Sequence, residues 1–200
     1  MIDLMDIEDL VPEEIAGWCG LLAPLIAYIL IGISILIHPW FSWADNALSD
    51  LGAVGTQYNN VFNFALMATG MIALIFGFGI IRLAEDYIGL LGVTLFIVSL
   101  ILLICIGIFP SGTPPHFYLS ISFFAVAAGG LVLIAVDQLI DMDEPIWGIF
   151  ILSSVGLNGI AVWLVYSIPY EGLGNAIPEF LGTIPIMLFM FVYGARLIFE

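Results

Sequence analysis

Lysine is absent from this 200-residue chain, and Arg82 and Arg196 are its only strongly basic side chains. Set against 17 acids, they leave a formal net charge of -15 and no cationic surface to neutralise phosphates. Direct binding of nucleic acid is thereby excluded, as is recruitment by anionic lipid head groups, which needs Lys and Arg clustered beside the membrane. Charged residues of both signs make up only 10% of the chain, against about 25% in soluble domains. Two cysteines, Cys19 and Cys105, cannot define a disulfide framework and fall near opposite ends of the spans drawn below; they read as small packing residues. The spacings H-E-x-x-H, H-x-x-x-H and paired C-x-x-C are missing, which removes the strongest metal signatures. A basic start is missing too. The first stretch, MIDLMDIEDLVPEE, carries six carboxylates and reads as an acidic tail, 1–14, rather than a secretory leader, ahead of a membrane domain, 15–200.

What the chain has in excess is hydrocarbon: 62% of its residues are hydrophobic. Six apolar runs, 15–37, 61–83, 87–109, 117–140, 146–168 and 176–199, fill most of it. A helix rises 1.5 Å per residue, so roughly 20 apolar residues cross a hydrocarbon layer of about 30 Å. The expected fold is all-α, a polytopic membrane protein built as a six-transmembrane-helix bundle. Spans two and three, and four and five, are joined by the short loops AEDY and DMDEP. The other three loops are longer, and each begins as a span exits through proline, at Pro39, Pro110 and Pro169, so the bundle reads as three helical hairpins. An even number of crossings puts both termini on one side together with Arg82 and Arg196. The positive-inside tendency makes that side cytoplasmic, in a multi-pass protein of the cell membrane.

On that topology the outer side collects both histidines, His38 and His116, with Asp45, Asp50, Glu171 and Glu179. In SWADNALSDLG, Trp43, Ala44, Ala47, Leu48 and Leu51 form an apolar stripe opposite Asp45, Asn46, Ser49 and Asp50, which predicts a short interfacial helix in the first outer loop. Ser42 with Asp45 resembles its N-terminal cap, and Gly52 suits a left-handed stop. The polar face of this helix either meets water or turns inward over the bundle mouth. In the second loop, three prolines in FPSGTPPH hold His116 in one geometry. In the third, Asn175 is placed to cap the last span, and Glu179 sits in its first turn, where a carboxylate near the membrane interface is costly without a partner.

Two kinds of chemistry fit these residues. In the catalytic reading, His38, His116 and Asp50 hold a divalent transition metal such as zinc, whose bound water attacks a lipid ester or amide. A metal-free version has His116 as general base for Ser49 or Ser111, oriented by Asp50, with Glu179 as a further acid-base group. In the binding reading, Asp45, Asn46, Glu171 and the deep Asn158 help hold a membrane lipid or small molecule without chemistry, which predicts an apolar groove below the polar cluster. A scaffold binding its partner through the acidic inner face is the third reading. No ionisable residue lies near the middle of any span, which disfavours proton or sodium coupling. Asn158, in span five, is the principal deep polar residue and suits a hydrogen bond between helices. Pro185 should kink span six, and Ala73-x-x-x-Gly77 and Ala125-x-x-x-Gly129 offer small surfaces for close helix approach.

The sequence N-A-L-S-D-L-G from Asn46 to Gly52, the pair Phe109-Pro110, His116 soon after it and the acid Glu179 at the start of the last span occur in this order. Together they resemble the domain of unknown function 998 family of small polytopic prokaryotic membrane proteins. That resemblance implies six helices and an outer cluster of Ser49, Asp50, His116 and Glu179, but no reaction. Where family members carry an acid-Arg pair, this chain reads Glu179-Phe180.

Overall fold

A computed structural model describes residues 11–84, 86–141, 145–167 and 174–199. Six helices are each long and apolar enough to cross a membrane. They are α1 (Glu13–Leu36), α2 (Asn59–Gly79), α3 (Tyr87–Ile108), α4 (His116–Asp141), α5 (Pro145–Tyr166) and α6 (Ala176–Phe199). Among the described residues there is no strand. The chain is an integral membrane protein with the expected six-helix bundle.

Local chemistry sets the helix ends. Asp86 caps α3, its carboxylate accepting from the N–H groups of Ile88 (2.6 Å) and Gly89 (3.1 Å). Pro145 opens α5, where its missing N–H costs nothing. At the end of α2 the last turn tightens into a 3-10 helix, Ile80–Leu83.

The helices form a closed ring in which each packs on its sequence neighbours and α6 returns to α1. Phe76, Phe96 and Phe189 meet edge to face at its centre, with ring centroids 5.1 to 6.3 Å apart, and Tyr193 lies beside Phe189. Glycine permits the closest approaches. A Cβ on Gly130 of α4 would lie 2.9 Å from the Gly92 oxygen of α3, and one on Gly194 of α6 would lie 2.8 Å from the Gly17 oxygen of α1. Ala73 and Gly77 do pack as expected, Gly77 facing Ile97 and Leu100. Ala125 and Gly129 do not: Ala125 is exposed, and a Cβ on Gly129 would meet nothing within 4 Å. The close face of α4 carries Ala127 and Gly130 instead, two positions and one position along from the residues of the motif read in the sequence.

Large apolar side chains such as Leu25, Ile29, Met71, Leu91 and Ile101 cover the outside of the bundle, as lipid requires. Several charged side chains at the end bearing the termini are held locally. Arg82 pairs with Glu13 at 2.7 Å and donates to the Val11 and Gly79 carbonyls, and Arg196 lies over the Trp147 ring. Asp137, near the end of α4, is 2% exposed and hydrogen-bonds to Asp86 against Gly89.

One pair of neighbours departs from this tight ring. In α5 only Gly148 and Ile151 are buried, both in its first two turns, where Gly148 lies against the Ala135 carbonyl and the Leu139 side chain of α4. The remaining turns of α5 pack sparsely on α6, and α4 barely reaches α6 across the gap. The third hairpin is therefore open towards the loop end.

Candidate functional site

At the loop end the first loop acts as the organiser. His38 is 2% exposed, and its Nδ1 and Nε2 face the carbonyl oxygens of Ser34 (2.5 Å) and Gln57 (2.6 Å). Ser42 binds the Asp45 carboxylate through its hydroxyl (2.6 Å) and the Asn46 side-chain oxygen through its N–H (2.9 Å). This is the expected cap chemistry, but no α-helix follows. The predicted interfacial helix is instead a single 3-10 turn, Leu48–Gly52, with Asp50 accepting from the Ala47 N–H at 2.9 Å and from Asn46 at 3.4 Å. Leu48 and Leu51 are buried, which fixes the face of the turn. Gly52 is not left-handed; the following residue is extended. Its role is close packing, since a Cβ there would lie 2.3 Å from the Asn63 side-chain oxygen and 2.7 Å from Phe62.

The first loop is laced to the other two. Val54 donates to the Ser111 carbonyl at 2.9 Å, and Gly174 and Ala176 donate to the carbonyls of Ala44 (2.6 Å) and Asn46 (2.9 Å). Glu179, half-buried in the first turn of α6, accepts from the Leu48 N–H at 2.7 Å and also faces the Ser49 N–H and the Asp50 carboxylate. The structure thus brings Asn46, Ser49, Asp50 and Glu179 together. Asp45 is exposed beside Ser42, and Glu171 lies outside the described residues.

His116 does not join that group through any hydrogen bond among the described residues. Its Nδ1 lies 2.8 Å from the Phe109 carbonyl, closing its own proline-rich loop. Nor do the residues expected to hold a metal come together: among the described residues no three His, Cys, Asp or Glu side chains form a metal-binding group, and both His38 nitrogens already face carbonyls.

Beneath Glu179 lies a cleft of about 670 Å³ between α4, α5 and α6. Its lining runs along α4 from Phe117 to Leu131, a rise of about 20 Å at 1.5 Å per residue, or roughly two-thirds of a hydrocarbon layer. Ile121, Ala125, Gly159 and Tyr166 line it and are also exposed on the outer surface, so the cleft opens sideways through the helix wall. Polar groups collect towards its loop end as Asn175, Tyr166, Glu179 and Ser120, while Asn158 is the polar group deep in the cleft. Asn175 does not cap with its side chain; its Oδ1 accepts from the Tyr166 hydroxyl at 3.1 Å. Glu179 and Ser120 also line a smaller cavity of about 80 Å³ on the bundle side, with Ser49 and Thr183.

Sequence reasoning missed Tyr166, Ser120 and the bare Gly159. The available signal was the run Gly156, Asn158, Gly159 in span five, where glycines without a helix against them leave space beside an amide.

Fold and geometry together define a polytopic integral membrane protein whose helix wall is notched by a lateral cleft with a polar rim. The family described as protein of unknown function (DUF998) matches residues 21–196, and the chain belongs to that family. No curated protein and no solved structure matches it significantly.

Proposed function

We propose that this protein binds a single membrane lipid, or a lipid-like amphiphile, with its tail in the lateral cleft and its head group at the Glu179 rim, as a non-catalytic binding or carrier protein. The observation that carries this reading is the cleft itself: an apolar slot of about 670 Å³, open to the side, with polar groups gathered at one end. That volume lies within the range of small-molecule sites, and the distribution of polarity is that of an amphiphile.

The hydrolytic reading taken from the sequence joins His116 to Ser49 and Asp50, or both imidazoles to a metal. No hydrogen bond among the described residues joins His116 to either residue, and His38 lies between two carbonyls, so the binding reading has the better geometric support.

A photoactivatable lipid with its reactive group in mid-chain tests the proposal. Crosslinks are expected on the cleft faces of α4 and α5, at Ile121, Ala125, Val155 and Val162. Labelling spread evenly over the exposed apolar residues of α1 and α2 would contradict it.

A further inference from the structure

The polar groups of the cleft also discriminate between head groups, provided the lipid-binding reading holds, on which this inference rests. Three donors along the cleft are committed, and the Asn175 amide N–H groups at the rim have no hydrogen bond among the described residues. Ser120 donates to the His116 carbonyl at 2.9 Å, Tyr166 to Asn175 at 3.1 Å, and Asn158 to the Leu181 carbonyl at 2.5 Å. Acceptors remain. The Glu179 carboxylate accepts from Leu48 and Ser49, yet a carboxylate offers about four lone-pair positions, and the side-chain oxygen of Asn158 has no hydrogen bond among the described residues.

Charge points the same way. Arg82 and Arg196 both lie at the end of the bundle that carries the termini, so no Lys or Arg stands beside Glu179. Its carboxylate has the Asp50 carboxylate as its charged neighbour, with Asp45 a few residues further along the same loop. The two imidazoles at this end are bonded elsewhere, His38 to Ser34 and Gln57 and His116 to Phe109. An anionic phosphate or carboxylate head group would meet the repulsion of two carboxylates with only the Asn175 amide to donate to it; an ammonium supplies three donors and the opposite charge.

We infer that the cleft selects a long-chain amine, its ammonium group seated on Glu179 at the rim and its hydrocarbon chain running past Asn158 between α4, α5 and α6. Asn158 lies within reach of a hydroxyl further along the same chain. A chain without that hydroxyl leaves the amide oxygen facing hydrocarbon.

Four amphiphiles with one tail test this: tetradecylamine, tetradecanol, tetradecanoate and tetradecyl phosphate, each competing with a tail-matched fluorescent amphiphile on the full chain in nonionic detergent at neutral pH. The amine is expected to bind about tenfold more tightly than the alcohol, the size of a charge-assisted hydrogen bond, with both anions weaker than the alcohol. Glu179→Gln is expected to bring the amine to the level of the alcohol measured on the same variant, Glu179→Asp should keep the preference, and binding of the fluorescent amphiphile with a wild-type melting temperature shows that each variant is folded. Tetradecanoate or tetradecyl phosphate binding as well as the amine, or an amine preference that survives Glu179→Gln, would overturn the head-group assignment and leave the lipid-binding reading standing. Failure of all four to compete on the wild-type chain would overturn that reading itself. The wild-type ranking decides the question even where a variant does not fold.

Discussion

The side-chain amide of Asn158 in α5 donates to the carbonyl of Leu181 in α6 at 2.5 Å, and Leu181 stands four residues before Pro185. In a regular helix that carbonyl accepts from the N–H of residue 185, which proline lacks. The amide therefore restores, from the neighbouring helix, the bond that Pro185 removes. It does so in the middle of the open hairpin, where little else joins α5 to α6. Asn158→Ala should lower stability by about 1 kcal/mol, the size of such bonds between membrane helices. In the background of Pro185→Ala, which returns the helical donor, the same change should cost much less. Thermal unfolding of the four proteins of this double-mutant cycle in detergent gives the coupling directly.

His38 locks the first loop to the end of α1. Its ring bridges carbonyls 23 positions apart in the chain, Ser34 and Gln57, from a buried position. His38→Ala should destabilise the protein by about 1 to 3 kcal/mol, since a buried ring is lost and the Ser34 carbonyl loses a partner away from water. Hydrogen exchange localises the effect: faster exchange is expected from Ala53 to Asn59, with the core of α3 unchanged.

Glycine at position 89 is demanded by a carboxyl group. A Cβ there would lie 2.1 Å from an oxygen of Asp137, so Gly89→Ala forces α3 and α4 apart at the end bearing the termini. The variant should lose about 1 to 3 kcal/mol, as overpacking in a close interface does. Adding Asp137→Ala should recover part of that loss. Unfolding midpoints of the single and double variants check both expectations.

Asp86 gives this end a pH dependence. The hydrogen bond with Asp137, then those from the Gly89 and Ile88 N–H groups, hold its carboxyl below the ordinary value of 3.8. A carboxylate whose pKa is depressed by folding stabilises the fold above its unfolded value and loses that contribution as pH falls through the folded value. Asp86→Ala should therefore be less stable than wild type at neutral pH, and the difference should shrink as pH falls below the ordinary value of 3.8. Because Asp86 is exposed, the difference should also shrink in high salt. Unfolding midpoints against pH at two ionic strengths test both parts.

The membrane architecture was legible because hydrocarbon thickness imposes a length on every span, and six runs met it. Predicted helix ends fell within about two residues of those observed wherever the residues are described, once the 3-10 turn Ile80–Leu83 is counted as the end of the second span, with Asp86 and Pro145 marking ends in plain chemistry. Loop structure was less accessible. Trp43 to Leu51 have a helical apolar stripe, yet only Leu48–Gly52 form one 3-10 turn, because the Asp50 carboxylate takes the Ala47 N–H and Glu179 takes that of Leu48, a residue 131 positions away. No local pattern encodes that partner. His38 and His116 looked like a pair because both fall at one end of the bundle. A shared end does not make a shared site: each ring is taken by carbonyls of its own loop or helix. The cleft was legible only as glycine and asparagine in span five, because its shape depends on how far α5 leans from α6, a tertiary property that periodicity does not carry.

Gly159 offers the most direct test of the cleft as a lipid site. It lines the slot, and a Cβ built on it meets nothing within 4 Å, so Gly159→Leu fills the space without displacing a neighbour. Native mass spectrometry of wild type and variant, extracted from the same membranes in mild detergent, counts the lipid each retains. One bound amphiphile on the wild-type chain, lost from a Gly159→Leu protein of equal thermal stability, is the predicted result. Equal retention by both proteins, or none by wild type, would contradict it.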